Sequence, residues 1–132
     1  MTNAQMPWLA HYDSGVPANV DYRDEPLTAI LDRAVERYPD RTAVAFRNWR
    51  ISYRHLRARA GSFASALRAM GVERGDRVAV MLPNLPQTVI SYWGALYAGA
   101  ALVFVNPLYM EKELSHIIED SGAKVLVVLD LL

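Results

Sequence analysis

The chain has no cysteine. That excludes disulfides, a thiol nucleophile and thiolate-held metals, and it fits a reducing compartment. It has no excess of either charge: 14 Lys+Arg balance 14 Asp+Glu, so no global field draws it to nucleic acid or to an acidic membrane. It has no Walker loop, because GVERGD around Gly71 and Gly75 lacks both the spacing and the Lys-Ser/Thr that such a loop needs. Nor is there a GxGxxG, and these glycines read as a helix stop and a turn. His11, His55 and His116 are scattered without an HExxH pattern, which argues against a metal site. On predicted helices, His55 and His116 fit solvent-facing or capping roles. Ser62, Ser65, Ser91 and Ser115 have no nucleophile-elbow context. Internal repeats and low-complexity segments are absent. The opening MTNAQMPWLAHYDSG shows no basic leader followed by an apolar run, so no secretory signal is expected.

Charge is also missing from Val78 to Met110. The length would suit a membrane span, but Pro83, Pro86 and Pro107 interrupt it and Gly94 and Gly99 punctuate it. It reads as strand, helix, strand, with both strands buried on both faces. The rest has globular composition, 52% hydrophobic and 21% charged.

Residues 1–26, with Pro7, Gly15, Pro17 and Pro26 and no period, predict an extended arm wrapped on a larger body. Leu27 to Tyr38 is amphipathic, with Thr28 as its expected cap and Pro39 as its stop. Thr42 to Phe46 predicts a strand, turned through Arg47-Asn48-Trp49-Arg50 into Ile51-Ser52-Tyr53. Ser52 is placed to cap the next helix, with Ile51 and Leu56 at staple spacing. That helix closes at Gly71. Strands then follow at Arg77 to Leu82, Ala101 to Val105 and Lys124 to Leu129, with helices at Leu85 to Ala98, capped by Asn84 and Gln87, and at Glu111 to Ser121. Glu111 and Glu113 suit the positive end of that last helix. The order β-α-β-α-β predicts an α/β fold with a parallel sheet and right-handed crossovers. Ending on a strand, it predicts a sheet cut short, with an exposed edge. With the apolar tail Val125 to Leu129, Leu131 and Leu132, this predicts a homo-oligomer joined through the tail, through the Val78–Met110 unit or through an exchanged N-terminal arm.

Few residues offer chemistry. Glu111, Glu113, Glu119 and Asp120 read as a solvated helix face. Tyr92, Trp93 and Tyr97 suit core packing better than an acyl pocket. Asn84 and Asn106 are the binding candidates: each follows a parallel strand, and in open α/β sheets the ligand crevice lies beyond the strands' carboxyl ends. Asn84 could equally be a cap and Asn106 the polar half of a turn. No catalytic residue and no metal ligand emerges.

The ordered blocks say more. Ile51-Ser52-Tyr53 with Leu56 leads to Gly75-Asp76-Arg77-Val78-Ala79 and Leu82-Pro83-Asn84. Gly94-Ala95-Leu96, Ala98-Gly99-Ala100, Val105-Asn106-Pro107-Leu108-Tyr109 and Asp120-Ser121-Gly122-Ala123-Lys124 follow. In this order and spacing, from about Pro26 to Leu129, the chain resembles the opening of the adenylate-forming acyl-CoA synthetases. Val105 to Tyr109, with the Glu-Leu that follows, is similar to bacterial long- and medium-chain fatty acid ligases, and the entry segment Tyr12 to Tyr22 is similar to the long-chain type. Two departures from the family pattern, Met110 for a capping Thr and His55 for Glu, weaken caps.

The resemblance implies a parent enzyme that activates a fatty acid with ATP to an acyl-adenylate and passes it to CoA, using Mg²⁺. Residues 27–132 would be the truncated N-terminal subdomain behind the 1–26 arm. The family's phosphate loop, ribose-binding Asp and mobile lysine would lie downstream, so this stretch alone is expected to be inactive and to bind none of these cofactors. Two other readings stand beside it: a non-enzymatic binding or assembly module of the same fold, and an adenylating enzyme that loads a carrier protein. A cytoplasmic location is expected, with peripheral placement at the inner face of the membrane as its variant. No transmembrane segment and no nucleic-acid partner are expected.

Overall fold

A computed structural model describes residues 6–130. Met1–Gln5 of the predicted arm, and Leu131 and Leu132 of the predicted apolar tail, lie outside the described residues. The rest of the arm is exposed along nearly its whole length and, within the extended arm expected, holds a short 3₁₀ turn at Pro7–His11.

Helix α1 spans Thr28–Arg37. Thr28 does not cap it. Leu27 already has right-handed helical backbone (φ −57°, ψ −29°), and Ala29 N–H bonds back to the Pro26 carbonyl. A cap needs extended backbone, so Thr28 falls inside the first turn. Strands β1 (Thr42–Phe46) and β2 (Trp49–Ser52) pair antiparallel. Their turn is only Arg47-Asn48, shorter than expected, because Phe46 pairs with Trp49 and Ala45 with Arg50. Arg47 takes the left-handed φ of 51° that so tight a reversal demands. Helix α2 (Tyr53–Ala69) starts where expected, with Ser52 Oγ accepting from His55 N–H. His55 stands where a capping box would carry an acid, and its Nδ1 lies 3.0 Å from the same hydroxyl. Ile51 and Leu56 are both buried in one cluster with Leu31.

Strand β3 (Arg77–Met81) pairs in parallel with β4 (Ala101–Phe104) on one side and β5 (Val125–Val128) on the other, in the order β4-β3-β5. Helix α3 (Pro86–Ala98) joins β3 to β4, and α4 (Glu111–Ser121) joins β4 to β5. The direction of travel reverses between the two crossovers. Since parallel crossovers are right-handed, α3 and α4 lie on opposite faces of the sheet. Val78, Ala79 and Val80 of β3 are buried. The expectation that both strands of the uncharged stretch are buried on both faces fails for β4: it is an edge strand among the described residues, and its Phe104 is exposed. Gly99 and Gly122 end α3 and α4 in left-handed conformation. Among the described residues no helix is long and apolar enough to cross a membrane.

The helices lock through one polar knot. Asp32 of α1 accepts from Tyr97 Oη of α3 at 2.6 Å and from Arg57 Nε of α2 at 2.7 Å, and the Arg57 guanidinium lies 3.9 Å above the Tyr97 ring. Partial burial pushes the Asp32 carboxyl up, but the bonds from Tyr97 and Arg57 and the guanidinium charge together outweigh it and hold the acid below its usual range. Burial, then the Asp32 bond, pushes the Tyr97 hydroxyl well above its usual range. A carboxylate depressed in the fold stabilises above its unfolded pKa of about 3.9 and loses that contribution as pH falls through the lower folded value. Asp32→Asn should therefore lower the urea midpoint at neutral pH, and the gap should shrink as pH falls below about 4. The effect should stay near 1 kcal/mol, because both ion-pair partners are more than a third exposed. A gap that persists unchanged in acid would contradict this role for the charge.

Candidate functional site

A concavity opens at the carboxyl ends of the parallel strands. It is a cleft of about 680 Å³ lined by Met81, Leu82, Pro83 and Asn84 after β3, Asn106, Pro107 and Leu108 after β4, and Val128 and Leu129 at the end of β5. The connection leaving β3 goes to one face of the sheet and that leaving β4 to the other. The cleft is thus the topological switch point, where open α/β sheets place ligands.

Asn84 and Asn106 both line it, as the position after each strand leads one to expect, but they stand differently. Asn84 was expected to cap α3 together with Gln87, and it does not. The cap position is Leu85, with extended backbone and no side-chain bond, and Pro86 occupies the first helical position, where a missing N–H costs least. The first turn is tied instead by Thr88 Oγ1 donating to the Pro83 carbonyl. Asn84 is exposed and makes no side-chain hydrogen bond among the described residues. Asn106 makes the turn its sequence allows: its Oδ1 accepts from Leu108 N–H at 3.0 Å, and its carbonyl accepts from Tyr109 N–H.

The wall is otherwise apolar. Sequence reasoning missed Leu108, Val128 and Leu129 as lining residues. Leu108 is 84% exposed, and an apolar residue after a strand gives no sign that it overhangs a cleft. The aromatic trio lies elsewhere. Tyr92 stacks on Phe104 and meets Trp93 edge-on, and Trp93 and Tyr97 pack against the Leu31–Ile51–Leu56 cluster. His55 and His116 are exposed.

Among the described residues that line the cleft none is titratable, and what they offer is binding and orientation. Its two amides fit neither Mg²⁺, which is held through carboxylates, nor a triphosphate, whose charge calls for cations. Among the described residues no group of three His, Asp or Glu could hold a metal ion. At the opposite end of the sheet, Asp76 is held below the usual carboxylate range by the Lys124 bond and then by the Glu73 N–H. That contact staples the β3 and β5 entries and lies away from the cleft.

The family described as "AMP-binding enzyme" matches residues 31–131. A long-chain-fatty-acid–CoA ligase of Bacillus subtilis (strain 168) is 43% identical over 129 residues, covering 98% of this chain and 23% of that ligase. The chain thus spans less than a quarter of the length of that relative. Among solved structures, an artificially fused adenylation–PCP di-domain, NpsA-ThdA of Klebsiella oxytoca, superposes with a TM-score of 0.78 at 28% identity, over 83% of this chain and 21% of that one. The fatty acyl CoA synthetase of Mycobacterium tuberculosis gives 0.72 at 32% identity, over 75% and 20%.

Proposed function

Since the chain belongs to the AMP-binding enzyme family, we propose that it is the N-terminal part of a ligase that activates a fatty acid with ATP to an acyl-adenylate and transfers the acyl group to CoA. The observation that carries the finer reading is the 43% identity, sustained over 98% of the chain, to a long-chain-fatty-acid–CoA ligase. A carrier-loading enzyme is the second reading, favoured by the likeness to an adenylation domain fused to a PCP. The lower identity there, 28%, sets it behind the first. ATP, CoA and Mg²⁺ would be the parent's, held by residues outside this stretch, and the stretch alone is expected to give no ATP–pyrophosphate exchange. A cytoplasmic parent accords with this chemistry. The full-length protein, assayed with fatty acids against CoA and against carrier protein, tests the choice between the two readings.

The cleft's part in this reading is to hold an apolar portion of a ligand against Leu108, Val128 and Leu129, with Asn84 as the polar contact. In the full-length parent, Asn84→Ala should lower kcat/KM by about twofold to tenfold, the worth of one hydrogen bond of roughly 0.5–1.5 kcal/mol. Its melting temperature should barely move. Asn106→Ala should do the reverse, because its amide oxygen already serves the turn. Equal effects on both readouts for both variants would remove Asn84 from the site.

On its own, the chain is proposed to self-associate through the outer side of β5. That strand is a sheet edge among the described residues, and an unpaired edge is a template for another chain. Val127 packs inward against the core. Val128, 53% exposed, faces out. Light scattering should show an oligomer at micromolar concentration that Val128→Lys dissociates. A monomer mass for the unaltered chain would end the idea.

A further inference from the structure

Beside the cleft lies a smaller pocket of about 260 Å³. It shares Leu82, Val128 and Leu129 with the cleft, so the two adjoin, and Phe63, Ile90 and Val127 complete its apolar wall. Two polar side chains line it, Ser91 and Gln87 of α3. Ser91 is 4% exposed, the one buried polar residue among those described. The other serines on the described α-helices all have partners. Ser62 and Ser65 donate to the Ala58 and Gly61 carbonyls, Ser115 to Glu119 and Ser121 to the Ile118 carbonyl. Ser91 makes no side-chain hydrogen bond among the described residues. Yet no side-chain nitrogen or oxygen that is wholly shut off lacks a partner. The Ser91 hydroxyl therefore keeps an opening, and the space it lines is this pocket. A hydroxyl left unpaired in apolar surroundings costs free energy until something pairs it.

Water suits the pocket poorly. A buried water needs roughly two to four polar partners and about 30 Å³. This pocket is several times larger and offers one buried hydroxyl and the amide of Gln87, itself exposed. An apolar ligand with one polar group matches such walls. That group is neutral: no lining residue is charged, so a carboxylate here would have no cation to pair it. We infer that Ser91 is a specificity residue for the ligand of the adjoining cleft. The side pocket takes the stretch of a fatty acid chain that carries a hydroxyl or oxo group, and Ser91 Oγ hydrogen-bonds that oxygen. This rests on the fatty acid reading of the parent and names its substrate class, an oxygenated chain in place of a plain one. An unsubstituted chain would fill the same space and leave the hydroxyl unpaired. A polar group in an apolar site selects in this way against the ligand that lacks its partner.

The test uses the full-length parent with stearic acid and with hydroxystearic acids whose hydroxyl sits at different carbons. One of the hydroxylated chains should show a kcat/KM about tenfold above that of stearate, the worth of a hydrogen bond set against a buried hydroxyl left unpaired. Ser91→Ala should bring the two level. Alanine is smaller and a better helix former, so this variant keeps the fold. Isothermal calorimetry of the same acids reads binding without turnover, and it should give the same ratio and the same levelling. Stearate activated and bound as well as every hydroxylated chain would overturn the inference and leave the ligase reading standing. So would a preference that survives Ser91→Ala. If no fatty acid is activated, yet calorimetry shows the preference that depends on Ser91, the ligase reading falls and the pocket stands.

Discussion

Gly94→Val should lower the stability of this chain by about 3 kcal/mol, the upper range for overpacking a filled interface. Gly94 sits on α3 where it crosses α2. A Cβ built there would lie 2.6 Å from Phe63 Cδ1, 3.0 Å from Phe63 Cβ and 3.0 Å from the Ala60 carbonyl oxygen. The phenyl ring could swing, but the carbonyl belongs to the α2 backbone and cannot yield without moving the helix. Gly94→Ala gives a graded comparison. Alanine gains about 1 kcal/mol of helix propensity over glycine, against a clash of roughly 1–3 kcal/mol, so its net loss should be smaller. Urea midpoints of the three proteins measure the series. A valine variant as stable as the original would mean that α2 and α3 do not approach as described.

Val80→Asp should be worse still and should leave no cooperative unfolding transition at neutral pH. Val80 is 1% exposed in the central strand, flanked by β4 and β5, among Ala64, Leu67, Val78 and Ala95. None of these neighbours can pair a carboxylate. An unpaired buried charge costs several kcal/mol, a large share of the roughly 5–15 kcal/mol that holds a domain together. The same change at Val128, 53% exposed on β5, should cost little. Circular dichroism against urea distinguishes the two, and equal tolerance at both positions would contradict the assignment of β3 as the sheet's buried centre.

Much of this arrangement is legible in the residues because local and tertiary signals agree. Gly71, Gly99 and Gly122 stop helices, and each adopts positive φ. Ser52 caps α2, and Ile51 and Leu56 meet in one cluster. The uncharged Val78–Met110 stretch resolves into strand, helix and strand. Asn84 and Asn106 could be placed at a crevice because the position after a parallel strand is a topological property and needs no packing detail.

What stayed hidden depends on backbone context or on neighbours remote in sequence. Capping by Thr28 and by Asn84 fails because Pro26 and Pro86 set where the turns begin, and spacing alone does not show this. The half-open state of β4 follows from strand order, since a run of apolar residues is the same in a central strand and at an edge. The knot of Asp32, Arg57 and Tyr97 joins three helices through residues that look like ordinary surface charges and a core aromatic.

The most direct measurement of the central claim is fatty-acid-dependent exchange of pyrophosphate into ATP by the full-length protein, followed by identification of the acylated thiol. The account predicts exchange that requires a fatty acid and Mg²⁺, and an acyl-CoA formed in preference to an acylated carrier protein. Exchange that ignores fatty acids, or a carrier protein acylated while CoA is left untouched, would contradict it.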